Sequence, residues 1–102
     1  MSFNQHFCKK NIEAAVRVAL ANKDTTINVN GERSKVRYKV EYSWIGDNIS
    51  LVAEKKKNGR TYQQMLSYVD VSDLTKRQVA KDSSVELITN HFKEVINNYK
   101  AA

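Results

Sequence analysis

The residues with the clearest chemical potential in this chain are cationic side chains concentrated in its middle. Residues 33–60 hold eight Lys or Arg against three acidic residues, which accounts for +5 of the chain's net charge of +6. Such a surface attracts polyanions such as nucleic acid, or an acidic protein surface, through contacts that salt weakens. We predict that six of these side chains bind nucleic acid or a partner: Lys35, Arg37, Lys39, Lys56, Lys57 and Arg60.

Catalytic and metal-binding chemistry find little support. His6 and Cys8 lie two residues apart, and only His91 could join them, whereas a metal site needs about four ligands. Cys8 falls on the apolar stripe of a predicted helix, which favours a small core residue. Asp82 and Glu86 are four residues apart, and acids in the first turn of a helix are explained by the helix dipole. We therefore predict no enzyme activity, no metal and no cofactor.

The length of the chain predicts a single domain over residues 1–102. The one cysteine cannot form an internal disulfide, and the first residues lack the charged start and apolar stretch of a signal peptide. No apolar run approaches the length of a membrane span. These features together predict a cytoplasmic protein.

The elements that must position the cationic residues are two helices and four strands. Apolar residues recur at three- and four-residue spacing over about residues 4–22 and 83–99, so each segment is predicted to be an amphipathic helix. Ser72 is placed to cap an additional short helix that ends at about Ala80. The predicted strands are 25–29, 33–44, 48–56 and 60–69, separated by the turn signals Asn30-Gly31, Gly46-Asp47 and Asn58-Gly59.

Strict alternation of polar and apolar residues over 35–44 predicts one buried and one wetted face for the sheet. If Gly46-Asp47 and Asn58-Gly59 are two-residue loops, nearly all large apolar residues, aromatics included, share the buried face. The predicted pairs are Trp44 with Ile49, Tyr42 with Leu51, Val40 with Ala53, Leu51 with Leu66, Ile49 with Tyr68, and Lys55 with Tyr62.

The predicted fold class is α+β, in the order α-β-β-β-β-(α)-α. Four strands form an antiparallel β-meander, and the N-terminal and C-terminal helices share its apolar face. This arrangement leaves a cationic face open. In the predicted register Glu54 lies opposite Lys39, which is ordinary cross-strand pairing, but Arg37 lies beside Lys56 without an acidic partner. Because Arg37 and Lys56 have no acidic partner in this register, they favour a binding surface over cations that only contact solvent.

Two resemblances to nucleic-acid-binding families are partial. Residues 75–81 and the helix that follows are similar to a helix-turn-helix motif, but Ser83 and Asn90 occupy positions that should be apolar. The order α-β-β-β-α resembles that of double-stranded-RNA-binding domains, whose second helix begins with a Lys-Lys-x-Ala-Lys-like segment. Residues 76–81 are out of step with that segment by one position, and this chain has an additional first strand. The likeness is one of topology only.

The sequence therefore predicts a small non-enzymatic basic protein that binds DNA or RNA through a cationic sheet face and turn. The alternative is a protein-binding inhibitor, immunity or accessory module, such as a phage or other mobile element encodes to block a host protein or nucleoprotein machine. Its contact surface would be the same basic face, docked on an acidic or nucleic-acid-binding protein. A sheet edge at 25–29 or 60–69 could also pair with a partner strand or form a homodimer.

Overall fold

A computed structural model of the protein describes residues 5–21, 25–29, 31–72 and 82–101, without the side chains of residues 5–8, 82 and 83. The predicted short helix at 72–80 and the helix-turn-helix candidate at 75–81 lie largely outside the described residues. The elements are α1 (Gln5–Leu20), β1 (Thr26–Val29), β2 (Glu32–Lys35), β3 (Arg37–Ser43), β4 (Asn48–Lys57), β5 (Arg60–Asp70) and α2 (Asp82–Ala101).

The α+β class is confirmed, but the single four-stranded meander is wrong. The described strands form two antiparallel sheets, β1-β2 and β3-β4-β5. The predicted long strand 33–44 changes partner at Val36, whose N–H still donates to the carbonyl of Thr25 at 2.7 Å. Residues before Val36 therefore stay paired with β1, whereas residues after it pair with β4. The buried side chain of Val36 joins the common core at this break.

Two of the three predicted turns are confirmed by the register of their flanking residues. Val29 lies opposite Glu32, and Lys57 lies opposite Arg60, so each hairpin has a two-residue loop. In the second loop Asn58 and Gly59 have φ values of 54° and 76°. Both residues are thus left-handed, which is the conformation that an Asn-Gly hairpin turn requires.

The third turn is longer than predicted, and the predicted β3–β4 register is wrong by two residues. Tyr42 lies opposite Ile49 and Val40 opposite Leu51, which leaves residues 44–47 as a four-residue turn. A slip of two preserves the face of every side chain, because the strand period is two residues. It does place Trp44 and Ile45 outside the sheet, where they are 68% and 82% exposed.

A β-bulge changes the predicted pattern of β5. Lys55 lies opposite Tyr62 as predicted, but a register shift between Leu51 and Val52 leaves Leu66 as an extra residue of β5. Because one inserted residue reverses the alternation, side chains beyond the bulge change face. Tyr68 therefore lies opposite Ser50, on the face away from the helices, and is 60% exposed. The prediction that Tyr68 belongs to the core is wrong.

The core lies between the helices and one face of the sheets. α1 and α2 contact each other, and α1 contacts β3 while α2 contacts β1 and β5. The most deeply buried apolar side chains of the described residues come from both helices and both sheets: Val16, Ile27, Ile49, Leu51 and Phe92. Neither of the described helices is long and apolar enough to cross a membrane.

Helix α1 also covers the outer edge of β3. The backbone N–H of Tyr42 donates to the Glu13 carboxylate at 3.0 Å, and the Arg17 guanidinium donates to the carbonyl of Val40 at 3.0 Å. Glu13 and Arg17 also form an ion pair with each other. Side chains of the helix thus satisfy polar groups that an edge strand otherwise offers to another chain.

Candidate nucleic-acid interface

The predicted cationic residues gather at one end of the three-stranded sheet. Arg37 at the start of β3 lies opposite Glu54, so the last residues of β4 and the first residues of β5 project beyond it at the same end. Lys35 precedes Arg37 by two residues, at the end of β2. We call this set the basic end; it comprises Lys35, Arg37, Lys55, Lys56, Lys57 and Arg60. Five of the six predicted site residues belong to it.

The other end of the same sheet carries acidic residues. Ser43 pairs with Asn48, which pairs with Asp70, and Asp47 occupies the adjoining turn. The two ends are separated by the length of β3, roughly 20 Å for a strand of seven residues. Positive charge is therefore concentrated at one end of the strands, and the acidic residues lie at the other end.

The face away from the helices, in contrast, is balanced in charge. Its cations Arg37, Lys39 and Lys56 share it with Glu41, Glu54 and Asp70. Lys39 is the predicted site residue outside the basic end. Its Nζ lies 3.4 Å from a carboxylate oxygen of Glu54 and 3.8 Å from one of Glu41. Lys39 is thus already paired with protein carboxylates.

The prediction that Arg37 and Lys56 are cross-strand neighbours is wrong, because the observed β3–β4 register differs from the predicted one by two residues. Arg37 lies opposite Glu54, and Lys56 lies opposite Thr61. A hydrogen bond from the Gln63 amide, together with the positive charges of Lys39 and Arg37, lowers the pKa of Glu54 below its ordinary value. The negative charge opposite Arg37 is therefore maintained at neutral pH.

The tip of the β4–β5 hairpin is the most strongly cationic part of the basic end. Three residue pairs extend past the Arg37–Glu54 pair and carry four Lys or Arg side chains. The Nζ atoms of Lys55 and Lys57 each lie 3.8 Å from the carboxylate of Glu32. Lys56 and Arg60 are exposed and form no salt bridge with any residue that the structure describes. Of the four cations at the hairpin tip, these two are the ones that no described carboxylate already engages.

Beneath this hairpin lies a cavity of about 390 Å³, on the side of the sheet that faces β1. Val29, Val36 and Ala53 line it with apolar surface, and Tyr62, which is 47% exposed, stands at its wall. The side-chain oxygen of Gln64 is buried there and accepts no hydrogen bond from the described residues. Lys55, Lys57, Asn58 and Gln63 also line the cavity, so its surface is mixed and partly cationic.

A second concave surface adds a cation that the sequence analysis missed. Arg17 of α1 lines a groove of about 380 Å³ together with Lys35 and Arg37, and no acidic side chain is among the described residues that line it. Arg17 was missed because the sequence contains no signal that brings the last turn of α1 against β3. Tertiary packing alone makes this contact.

A buried ion pair near the acidic end also had no sequence signal. Lys9 is 2% exposed, and its Nζ lies 2.9 and 3.0 Å from the two carboxylate oxygens of Asp47. The Tyr42 hydroxyl donates to the same carboxylate at 2.9 Å. Burial, together with this hydrogen bond and the charge of Asp47, raises the pKa of Tyr42 to about 12. The cluster fastens α1 to the turn between β3 and β4.

The residues considered for catalysis or metal binding are not brought together among the described side chains. His91 lies on α2, with Nε2 at 3.1 Å from the Ser67 hydroxyl. The side chains of His6, Cys8 and Asp82 are outside the described part of the structure. Within that part, no group of three or more His, Cys, Asp or Glu is placed to hold a metal ion.

No protein-family model, curated protein or solved structure matches this chain.

Proposed function

We propose that this protein is a non-enzymatic, cytoplasmic nucleic-acid-binding protein whose contact surface is the basic end of the sheet. The observation that carries the proposal is the strand register, which gathers Arg37, Lys56, Lys57 and Arg60 at one end of the sheet and leaves acidic residues at the other. Lys35 lines a groove together with Arg37 at the basic end. Lys39 also belongs to the proposed site, but its two carboxylate neighbours weaken its contribution.

The chemistry of the basic end fits a phosphate backbone better than a single small anion. The cations are distributed along the ends of neighbouring strands, about 4.8 Å apart, and on a hairpin that projects past them. Lysine and arginine that neutralise successive phosphates release condensed counterions, and this release drives binding. Arg17 lies beside Lys35 and Arg37 in the groove towards α1, although its ion pair with Glu13 weakens its contribution. The protein therefore offers a track for a polyanion.

The first test is fluorescence-anisotropy binding to short single- and double-stranded DNA and RNA at two salt concentrations. The test variant is Lys56→Glu with Arg60→Glu, because both side chains are exposed and outside any salt bridge with described residues. The matched control is Lys10→Glu with Lys93→Glu, which changes the net charge equally on the two helices.

We expect the hairpin variant to lose affinity at least tenfold and its salt slope to fall by about 2, since each lost phosphate contact removes roughly 0.9 from the slope on duplex DNA. The control should keep both values close to wild type. Equal losses in the two variants would mean that only net charge matters, and no binding at low salt would refute the proposal. The polymer bound most tightly identifies the nucleic acid.

A second candidate function, a protein-binding inhibitor or accessory module, is favoured by the β3–β4 turn. Trp44 and Ile45 are 68% and 82% exposed there, and large exposed side chains of this kind often anchor protein interfaces. The test is a pull-down after nuclease treatment with wild-type protein and Trp44→Ala. One stoichiometric protein that Trp44→Ala loses and the hairpin variant keeps would favour this function.

A further inference from the structure

Apart from the bulge at Leu66, the outer edge of β5 has few of the features that keep sheet edges apart. β5 is 11 residues long and carries no charged residue between Arg60 and Asp70, and no proline. Edge strands usually carry charges, prolines or a covering element that prevents pairing with another chain. The opposite edge, on β3, is covered by Glu13 and Arg17. Within the described residues no strand pairs with the outer edge of β5.

Exposed apolar side chains accompany this edge on both faces of the sheet. Met65 and Tyr68 are 56% and 60% exposed on the face away from the helices, and Tyr62 is 47% exposed on the other face. Apolar surface beside an unpaired strand can be buried by a second strand that adds to the sheet.

The charges at the two ends of β5 determine the direction of that second strand. Arg60 begins β5 at the basic end, and Asp70 ends it at the opposite end, where the Asp47 carboxylate is already paired with Lys9. An antiparallel copy of β5 would place each basic end beside the acidic end of the other copy. A parallel copy would bring the two basic hairpins together, which the net charge of +6 per chain opposes. The edge is therefore complementary to itself in one direction only.

We propose that two copies of this chain pair antiparallel along β5 and form one continuous six-stranded sheet. The bulge at Leu66 limits the register. On the face away from the helices, residues of β5 have odd numbers before the bulge and even numbers after it, and on the other face the order is reversed. Pairing each residue before the bulge with one after it keeps opposite residues on the same face. The two-fold axis then passes between Met65 and Leu66. Gln63 lies opposite Tyr68 of the second copy, and Tyr62 lies opposite Val69 of the second copy. The two Arg60 side chains lie roughly 35 Å apart, so their repulsion is small at physiological salt.

The test is the mass in solution, measured by sedimentation equilibrium over a wide concentration range without nucleic acid. We expect wild-type protein to form a species of twice 11.7 kDa. Met65→Lys places two cations beside the two-fold axis and should raise the dimer dissociation constant at least tenfold. Val18→Lys, at a 75% exposed position on α1, is the matched control and should remain dimeric.

A monomer at all concentrations, or equal behaviour of the Met65 and Val18 variants, would overturn the proposal. Tyr68→Lys repeats the test if Met65→Lys fails to fold. The register is tested separately with Gln63→Cys and Tyr68→Cys in a Cys8→Ser background. A mixture of the two single-cysteine proteins should form a disulfide-linked heterodimer, whereas each protein alone should not. Linkage of each variant to itself would contradict the register.

Discussion

The buried pair of Lys9 and Asp47 leads to an asymmetric prediction for stability. Lys9 is 2% exposed, whereas the side chain of Asp47 is 27% exposed and also accepts the Tyr42 hydroxyl. Removing one partner leaves the other charge unpaired, and the cost depends on how well water reaches the remaining charge. Asp47→Asn is the appropriate change on one side, because Asn tolerates the φ of 51° at this position. Lys9→Met is the counterpart, since Met keeps the length of the aliphatic chain.

We expect Asp47→Asn to lower the free energy of unfolding by about 3 kcal/mol, the lower end of the usual range for an orphaned buried charge, because the Asn oxygen still accepts one hydrogen bond. Lys9→Met should cost less, about 1–2 kcal/mol, because water partly solvates the remaining Asp47 carboxylate. The double variant contains no unpaired charge, so its cost should be about 1–2 kcal/mol rather than the sum of the single costs.

The measurement is urea denaturation of the four proteins at neutral pH, analysed as a double-mutant cycle with a common dependence on denaturant. The coupling free energy should be about 3 kcal/mol, a large share of the 5–15 kcal/mol typical of a domain. Additive costs would refute the argument, since they would mean that neither charge is affected by the loss of the other. A greater cost for Lys9→Met than for Asp47→Asn would refute the role of burial.

Three further predictions concern single positions. The raised pKa of Tyr42, about 12 in the folded state, means that its contribution to stability is complete below about pH 10 and is lost as the pH rises towards 12. Denaturation at a series of alkaline pH values should show this loss in wild type and a smaller one in Tyr42→Phe; parallel curves would contradict it. Phe92→Ala should cost about 3–5 kcal/mol in urea denaturation, because Phe92 is fully buried, and a cost below about 1 kcal/mol would contradict its core role. Gly59→Ala should cost about 1–2 kcal/mol through backbone strain alone, since φ is 76° and no atom lies within 4 Å of an added Cβ. Thermal unfolding checks this value, and an unchanged midpoint would show that the turn relaxes.

Much of the secondary structure could be predicted because its signals are local. Helical periodicity placed both helices within about two residues of their observed ends, and the Asn58-Gly59 signal predicted a tight turn that the register confirms. Gly46-Asp47 misled because a Gly-Asp pair also fits the end of a four-residue turn, and Asp47 is the residue that adopts a positive φ. The bulge at Leu66 could not be predicted from a local signal, because the same face of β4 is buried in the predicted and in the observed β4–β5 register.

The candidate site shows the same division between local and long-range information. The sequence by itself determined which residues are cationic and that 55–60 form a hairpin tip, because charge and turn preference belong to single residues and short segments. The prediction that Lys35 and Arg37 share one strand was wrong, since they belong to different sheets. Only the tertiary structure decided that Arg37 lies opposite Glu54, that Arg17 joins the groove, and that Lys9 is buried against Asp47. These contacts join residues that are distant along the chain, and the packing of α1 on β3 and the long-range strand register bring them together.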